Sequence, residues 1–213
     1  MSTTNETTVG LGDVGTSAVP TALSVRLASG DRPDVNRAFL LARRMFLTDG
    51  RIDMGSLADQ LGIDRTSLFR WVGNRDELLT EVLWSLAAPT LTRADRATNR
   101  TGTGRLVDVL GDFVEYLMTA SYFRAYLRRE PARALRVLTT SAAPIQRRYV
   151  AIVEHMLTTE IAQEALEFDL PTHDLAYLLV RTSESFTYAD LITGEALSAA
   201  HARAALRFML RHS

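Results

Sequence analysis

Arg65, Arg70 and Arg75 fall within eleven residues of this 213-residue chain with no acid between them, and the chemistry they suit is the gripping of an anion. Thr66, Ser67 and Asn74 add hydrogen-bonding groups to the same stretch, and Phe69 and Trp71 add aromatic faces. Guanidinium forks match the major-groove edge of guanine, hydroxyls reach bases or phosphates, and thymine methyls need only apolar contact. Asn74 with Glu77 three residues later forms a capping-box pattern. Arg75 and the free N–H groups at the start of that helix are therefore expected to hold a phosphate.

A set of this kind needs a scaffold, and the surrounding sequence, DMGSLADQLGIDRTSLFRWVGNRDEL from Asp53, describes one. Asp53 suits the N-cap of a short helix whose Leu57 and Leu61 face inward, and Gly62 suits a left-handed turn after it. Asp64 then caps a second helix. On it Leu68 and Val72, four residues apart, join Leu57, Leu61 and Ile63 in a small core and leave the opposite face free. Helix, glycine turn and helix is the unit that places a recognition helix in DNA. An earlier helix begins at Pro33, buries Val35, Ala38, Phe39, Ala42, Met45 and Phe46, and stops at Asp49-Gly50.

The rest of the chain also reads in helical period, over about 76–88, 105–120, 122–140, 144–167, 172–193 and 198–211, with breaks at Pro89, RADRATNRTGTG, SAAP, FDLP and the Thr193-Gly194 pair. No strand-like alternation competes with it. The expected fold is all-α, with residues 31–88 a three-helix head and 89–213 a helical body. Residues 1–30, rich in Ser, Thr, Gly and Asn, read as a flexible arm, with a short helix over 22–28 as the alternative.

Bulk charge does not announce a partner. All 24 basic residues are arginine, 25 acids oppose them, and within 31–88 eight arginines face nine acids, so placement of charge has to carry any nucleic-acid footprint. The absence of cysteine excludes disulfides and thiolate chemistry, and with no signal-like start and no long apolar run a cytoplasmic protein without membrane contact is expected. His155, His173, His201 and His212 lack zinc-binding spacing, and no nucleophile elbow or phosphate-binding loop occurs. The sequence thus gives no ground for an enzyme, a metal site or a cofactor.

The run LADQLGIDRTSLFRWVGNRDELL resembles the signature of TetR-family regulators across Val35–Leu86. Phe69 stands where that family often carries a phosphate-bonding tyrosine, Trp71 where others have His or Tyr, and Arg75 where lysine is usual. The resemblance implies a repressor that binds a palindromic operator as a homodimer, releases it on taking up a small effector, and pairs its head with a divergent helical body. The DNA contacts it implies are Arg65, Thr66, Ser67, Phe69, Arg70, Trp71, Asn74 and Arg75. An architectural DNA binder without an effector is the alternative.

For the body, the resemblance implies an effector pocket, and two apolar stripes suit either its lining or plain core: Phe113, Tyr116 and Leu117 on one segment, Tyr149, Val153 and Met156 on another. Tyr126 offers a further hydroxyl. Arg181, Glu184 and Tyr188 share one side of a mostly apolar helix, as effector ligands or, for the first two, as an internal ion pair. The last two helices, with Ala199, Ala200, Ala202, Ala204 and Ala205, are the expected dimer seam, and Arg203, Arg207 and Arg211 its solvated edge. The stretches RALRVLTTSAAPIQRRYVAIVEHM and ESFTYADLITG resemble QsdR-type members, associated with control of lactone degradation, which implies a lactone or acyl effector.

Overall fold

The computed structural model describes residues 10–30, 32–140, 143–164 and 166–211, and these form helices without a strand among them. Residues 1–9 of the expected arm and His212 lie outside that set. Three helices make the head: α3 (Pro33–Asp49), α4 (Met54–Leu61) and α5 (Arg65–Val72). They are preceded by α1 (Leu11–Ala18) and α2 (Ala22–Ser29), and a long connector, α6 (Arg75–Ala97), leads into the body. The body consists of α7 (Gly102–Thr119), α8 (Ser121–Arg129), α9 (Pro131–Thr139), α10 (Pro144–Glu164), α11 (Thr172–Thr187), the short α12 (Ala189–Ile192) and α13 (Ala199–Met209).

The flexible arm expected over 1–30 is not what residues 10–30 form, and the alternative of a short helix over 22–28 is met by α2. The arm's small residues are what let it pack: a Cβ on Gly15 would come within 2.5 Å of the Trp84 ring, so α1 lies directly against α6. Leu11 and Leu23 are buried, Thr21 caps α2, and the Trp84 indole N–H donates to Thr16 Oγ1 at 2.8 Å. Beneath this arm sits a fully enclosed ion pair. The Arg148 guanidinium donates to both Glu81 carboxylate oxygens at 3.0 and 2.9 Å and to the Val19 carbonyl at 2.9 Å, and it faces the Trp84 ring. Thr21 Oγ1 donates to the same carboxylate at 2.6 Å. Arm, connector and body are thereby tied to one buried charge.

Two other expectations change. Pro89 does not end its helix, because Leu86, Thr90, Leu91 and Ala94 carry the buried stripe of α6 past it. Burial of that stripe outweighs the roughly 3 kcal/mol that an internal proline costs. Conversely, the single helix expected over 122–140 is two, since Pro131 disfavours helical backbone at Glu130 (φ −135°, ψ 58°) and starts α9 afresh.

The core of the head does not close at residue 88. Phe46 meets Tyr122 and Tyr126 edge-on, with ring centroids 5.7 and 5.5 Å apart, and Phe123, Leu127, Ala134 and Val137 of α8 and α9 continue the same cluster. A second cluster fills the space among α7, α10, α11 and α13.

Candidate DNA-binding face and effector cavity

Asp53 and Asp64 cap α4 and α5 by accepting from the Ser56 and Ser67 amides at 2.9 and 2.8 Å, and Gly62 turns the chain between them at φ 70°. Leu68 and Val72 are completely buried, so rotation of α5 about its axis is fixed by its apolar side. Arg65, Thr66, Phe69 and Arg70 are left on the surface, Phe69 with 46% of its area open. Ser67 is engaged with the cap: its hydroxyl donates to Asp64 at 2.7 Å and accepts from Arg70 at 3.1 Å. These bonds to Ser67 hold the Asp64 carboxyl below its ordinary range. Trp71 is half-buried against the head core.

The start of α6 departs from expectation. Asn74 and Glu77 form the capping box, Asn74 Oδ1 accepting from the amides of Asp76 and Glu77 at 2.8 and 3.0 Å and Glu77 accepting from the Asn74 amide at 2.7 Å. The Asp76 and Glu77 amides, expected to greet a phosphate, are already used. Arg75 is turned inward as well. It donates to both Glu130 oxygens at 2.8 and 2.5 Å and to the Ile52 carbonyl at 2.8 Å, with about a fifth of its side chain exposed. The bond from Arg75 pulls the Glu130 carboxyl down, and the Arg75 guanidinium is raised in turn. Arg75 thus joins the head to the α8–α9 corner.

In the body, a partly enclosed cavity of about 50 Å³ lies between α6, α7, α8, α9, α10 and α11. Of the ten residues expected to hold an effector, Phe113, Leu117, Tyr149, Glu184 and Tyr188 line it. Tyr116, Tyr126, Val153, Met156 and Arg181 do not. Tyr126, Val153 and Met156 are core, Tyr116 bonds Tyr122 hydroxyl to hydroxyl at 2.8 Å, and Arg181 reaches Glu184 from the solvent side at 2.6 Å. The internal ion pair and the cavity-facing acid are therefore both present, on opposite sides of Glu184. Burial pushes the Glu184 carboxyl up to about 7, against the pull of Arg181. Tyr149 Oη is buried beside Ser183, and burial raises its hydroxyl against the pull of that serine.

Trp84, Tyr122, Phe123, Gln146 and Ser183 also line the cavity. They were missed because they come from α6, α8, α10 and α11, and no helical period links residues so far apart in sequence. Trp84 stands as a polar-tipped side chain inside an apolar stretch, which is the signal that could have found it, whereas Gln146, followed by Arg147 and Arg148, gives none.

On α13, Ala202 faces its own protomer's core, and Arg203 leaves the expected solvated edge to bridge Asp112 and Glu115 of α7 at 2.6 and 2.9 Å. Among the described residues, no group of three or more metal-ligating side chains comes together, and no helix is long and apolar enough to cross a membrane.

Against this geometry, a family model described as "Tetracyclin repressor-like, C-terminal domain" matches residues 101–211, more than half of the chain. The chain belongs to the TetR family. Its fold is that of the family, with N-terminal helices in a helix-turn-helix arrangement and a C-terminal bundle. A solved structure, the transcriptional repressor QsdR of R. erythropolis from the TetR family, aligns with a TM-score of 0.74 at 29% identity, over 83% of this chain and 94% of that one. Comparison with curated proteins finds no match.

Proposed function

We propose that this TetR-family protein is a ligand-responsive transcriptional repressor that binds a palindromic operator as a homodimer and lets go when a small amphiphilic effector, a lactone or acyl compound, enters the body. The observation that carries the operator reading is the outer face of α5, where Arg65, Thr66, Phe69 and Arg70 stand exposed on a helix fixed by its own buried side. In a two-fold dimer, two such helices about 34 Å apart would enter successive major grooves. Tyr177 and Leu178 on α11 and Phe208 on α13, all exposed, support pairing through these helices. The QsdR-like stretches and the apolar, aromatic walls of the cavity favour the effector class.

At about 50 Å³ the cavity holds little more than a water or two, so an amphiphile enters only by pushing helices apart. Effector binding is then coupled to movement of the body, which is what release requires. Replacing Arg65 or Arg70 with Ala is expected to cost about 1–3 kcal/mol of operator binding and to relax one operator position, measured on duplexes selected by the protein from a random library. Loss that is equal on every sequence would remove base reading. A thermal-shift screen of lactones and acyl compounds, followed by DNA release, tests the switch: a true effector at 100 times its Kd stabilises by about 2.7 kcal/mol.

A further inference from the structure

Beside the recognition helix lies an open groove of about 900 Å³. The head contributes Phe69, Arg70 and Asn74 to it, and the body contributes Arg133 and Arg136 of α9. Its lining arginines, with Arg26 of α2 and Arg75, number five against the two acids Asp76 and Glu77. Two of the five are on the body, and they converge on the start of α6. Arg136 donates to Asp76 Oδ2 at 2.7 Å, and Arg133 Nε lies 3.4 Å from Oδ1. Asp76 is two residues after the N-cap Asn74, the place where the sequence led one to expect a phosphate.

The head's main means of holding that phosphate are spent, Arg75 on Glu130 and the Asp76 and Glu77 amides on Asn74. Arg136 is different: 61% of its side chain is exposed beside the groove. We propose that the Arg133–Arg136 face of α9 belongs to the DNA-binding surface, with Arg136 meeting an operator phosphate in the place of Arg75. This rests on the operator reading above. The same nine-residue helix brings Leu138 to the wall of the effector cavity, two residues beyond Arg136. A guest that pushes on Leu138 therefore moves the arginine that holds DNA.

The test uses the full chain and a 30-base-pair duplex of mixed sequence at several salt concentrations, since phosphate contacts need no operator. Arg136→Ala is expected to weaken every duplex alike and to lower the slope of log K against log salt by about 0.9, the signature of one lost phosphate. Arg136→Lys, which keeps the charge without the fork, is expected to restore the slope. Arg96→Ala, at the far end of α6, leaves it unchanged, and thermal melting checks that all variants are folded. An unchanged slope in Arg136→Ala, or no rescue by lysine, overturns the proposal. If Arg65→Ala still weakens binding in that case, the operator reading stands alone. If the unaltered protein binds no duplex at low salt, both fall.

Discussion

The outer face of α5 and the interior of the body use arginine in opposite ways. On α5 Arg65 and Arg70 stand in solvent and pair with no acid among the described residues, held out by a helix whose caps and apolar side are all local. Inside the body, arginines are mostly enclosed and paired with acids on other helices, Arg148 with Glu81, Arg105 with Asp95 and Glu160, Arg124 with Asp190, whereas Arg136 on its surface stays 61% exposed. An exposed cation retains its hydration and is available to a phosphate or a base; an enclosed one is committed to the fold, because leaving it unpaired would cost several kcal/mol. Between the two regions, the Arg75–Glu130 joint shows how a residue placed in one class by its sequence neighbourhood can belong to the other.

The contrast breaks most readily at Glu81. Glu81→Ala strands the Arg148 charge and is expected to lower stability by about 3–5 kcal/mol, whereas Arg65→Ala changes it by less than about 0.5 kcal/mol, both read by denaturant unfolding. Equal effects would erase the distinction.

Glu184 tests it through pH. Its folded pKa, about 7, lies above the ordinary 4.5, so the folded protein keeps a proton that the unfolded chain gives up. Stability is then full below about pH 4.5 and declines as pH rises to about 7, by on the order of 3 kcal/mol. Glu184→Gln is expected to flatten that decline, and a profile indistinguishable from the parent would show the carboxyl to be well solvated.

The joint calls for a double-mutant cycle. Arg75→Ala and Glu130→Ala are expected to be coupled by about 1–2 kcal/mol in stability, and Arg75→Ala to leave the salt slope of DNA binding unchanged. A reduced slope would return Arg75 to the DNA face. The smallest effect is expected at Tyr126, whose hydroxyl is buried without a partner. Tyr126→Phe should raise stability by about 1 kcal/mol, since it removes an unmet polar group. Loss of stability instead would reveal a partner for that hydroxyl.

Helix α5 and its orientation were legible because everything that sets them is close by: Asp64 at the cap, Gly62 at the turn, Leu68 and Val72 on the inner side. The cavity was legible by half. Phe113, Tyr149, Glu184 and Tyr188 could be picked as polar or aromatic groups on apolar helices, but Tyr126 and Met156 look the same in sequence and are core. Arg181 and Glu184 lie one turn apart, and only packing turns the first to solvent and the second to the cavity. The arm was misread for a related reason. Glycines among serines and threonines read as flexibility in isolation, yet Gly15 is what permits helix contact once Trp84 lies opposite.

By itself, the sequence determined the all-helical class, the position and register of the helix-turn-helix, and the free face of α5, since caps and a 3.6-residue period act within a turn or two. Tertiary structure alone decided that the arm is docked over Arg148 and Glu81, that α6 runs on through Pro89, and that Arg75 faces Glu130 rather than solvent. Each of these depends on a partner about 55 to 130 residues away, or on burial that outweighs a local preference. No local pattern records such a partner, because the free energy that selects it exists only once the helices have met.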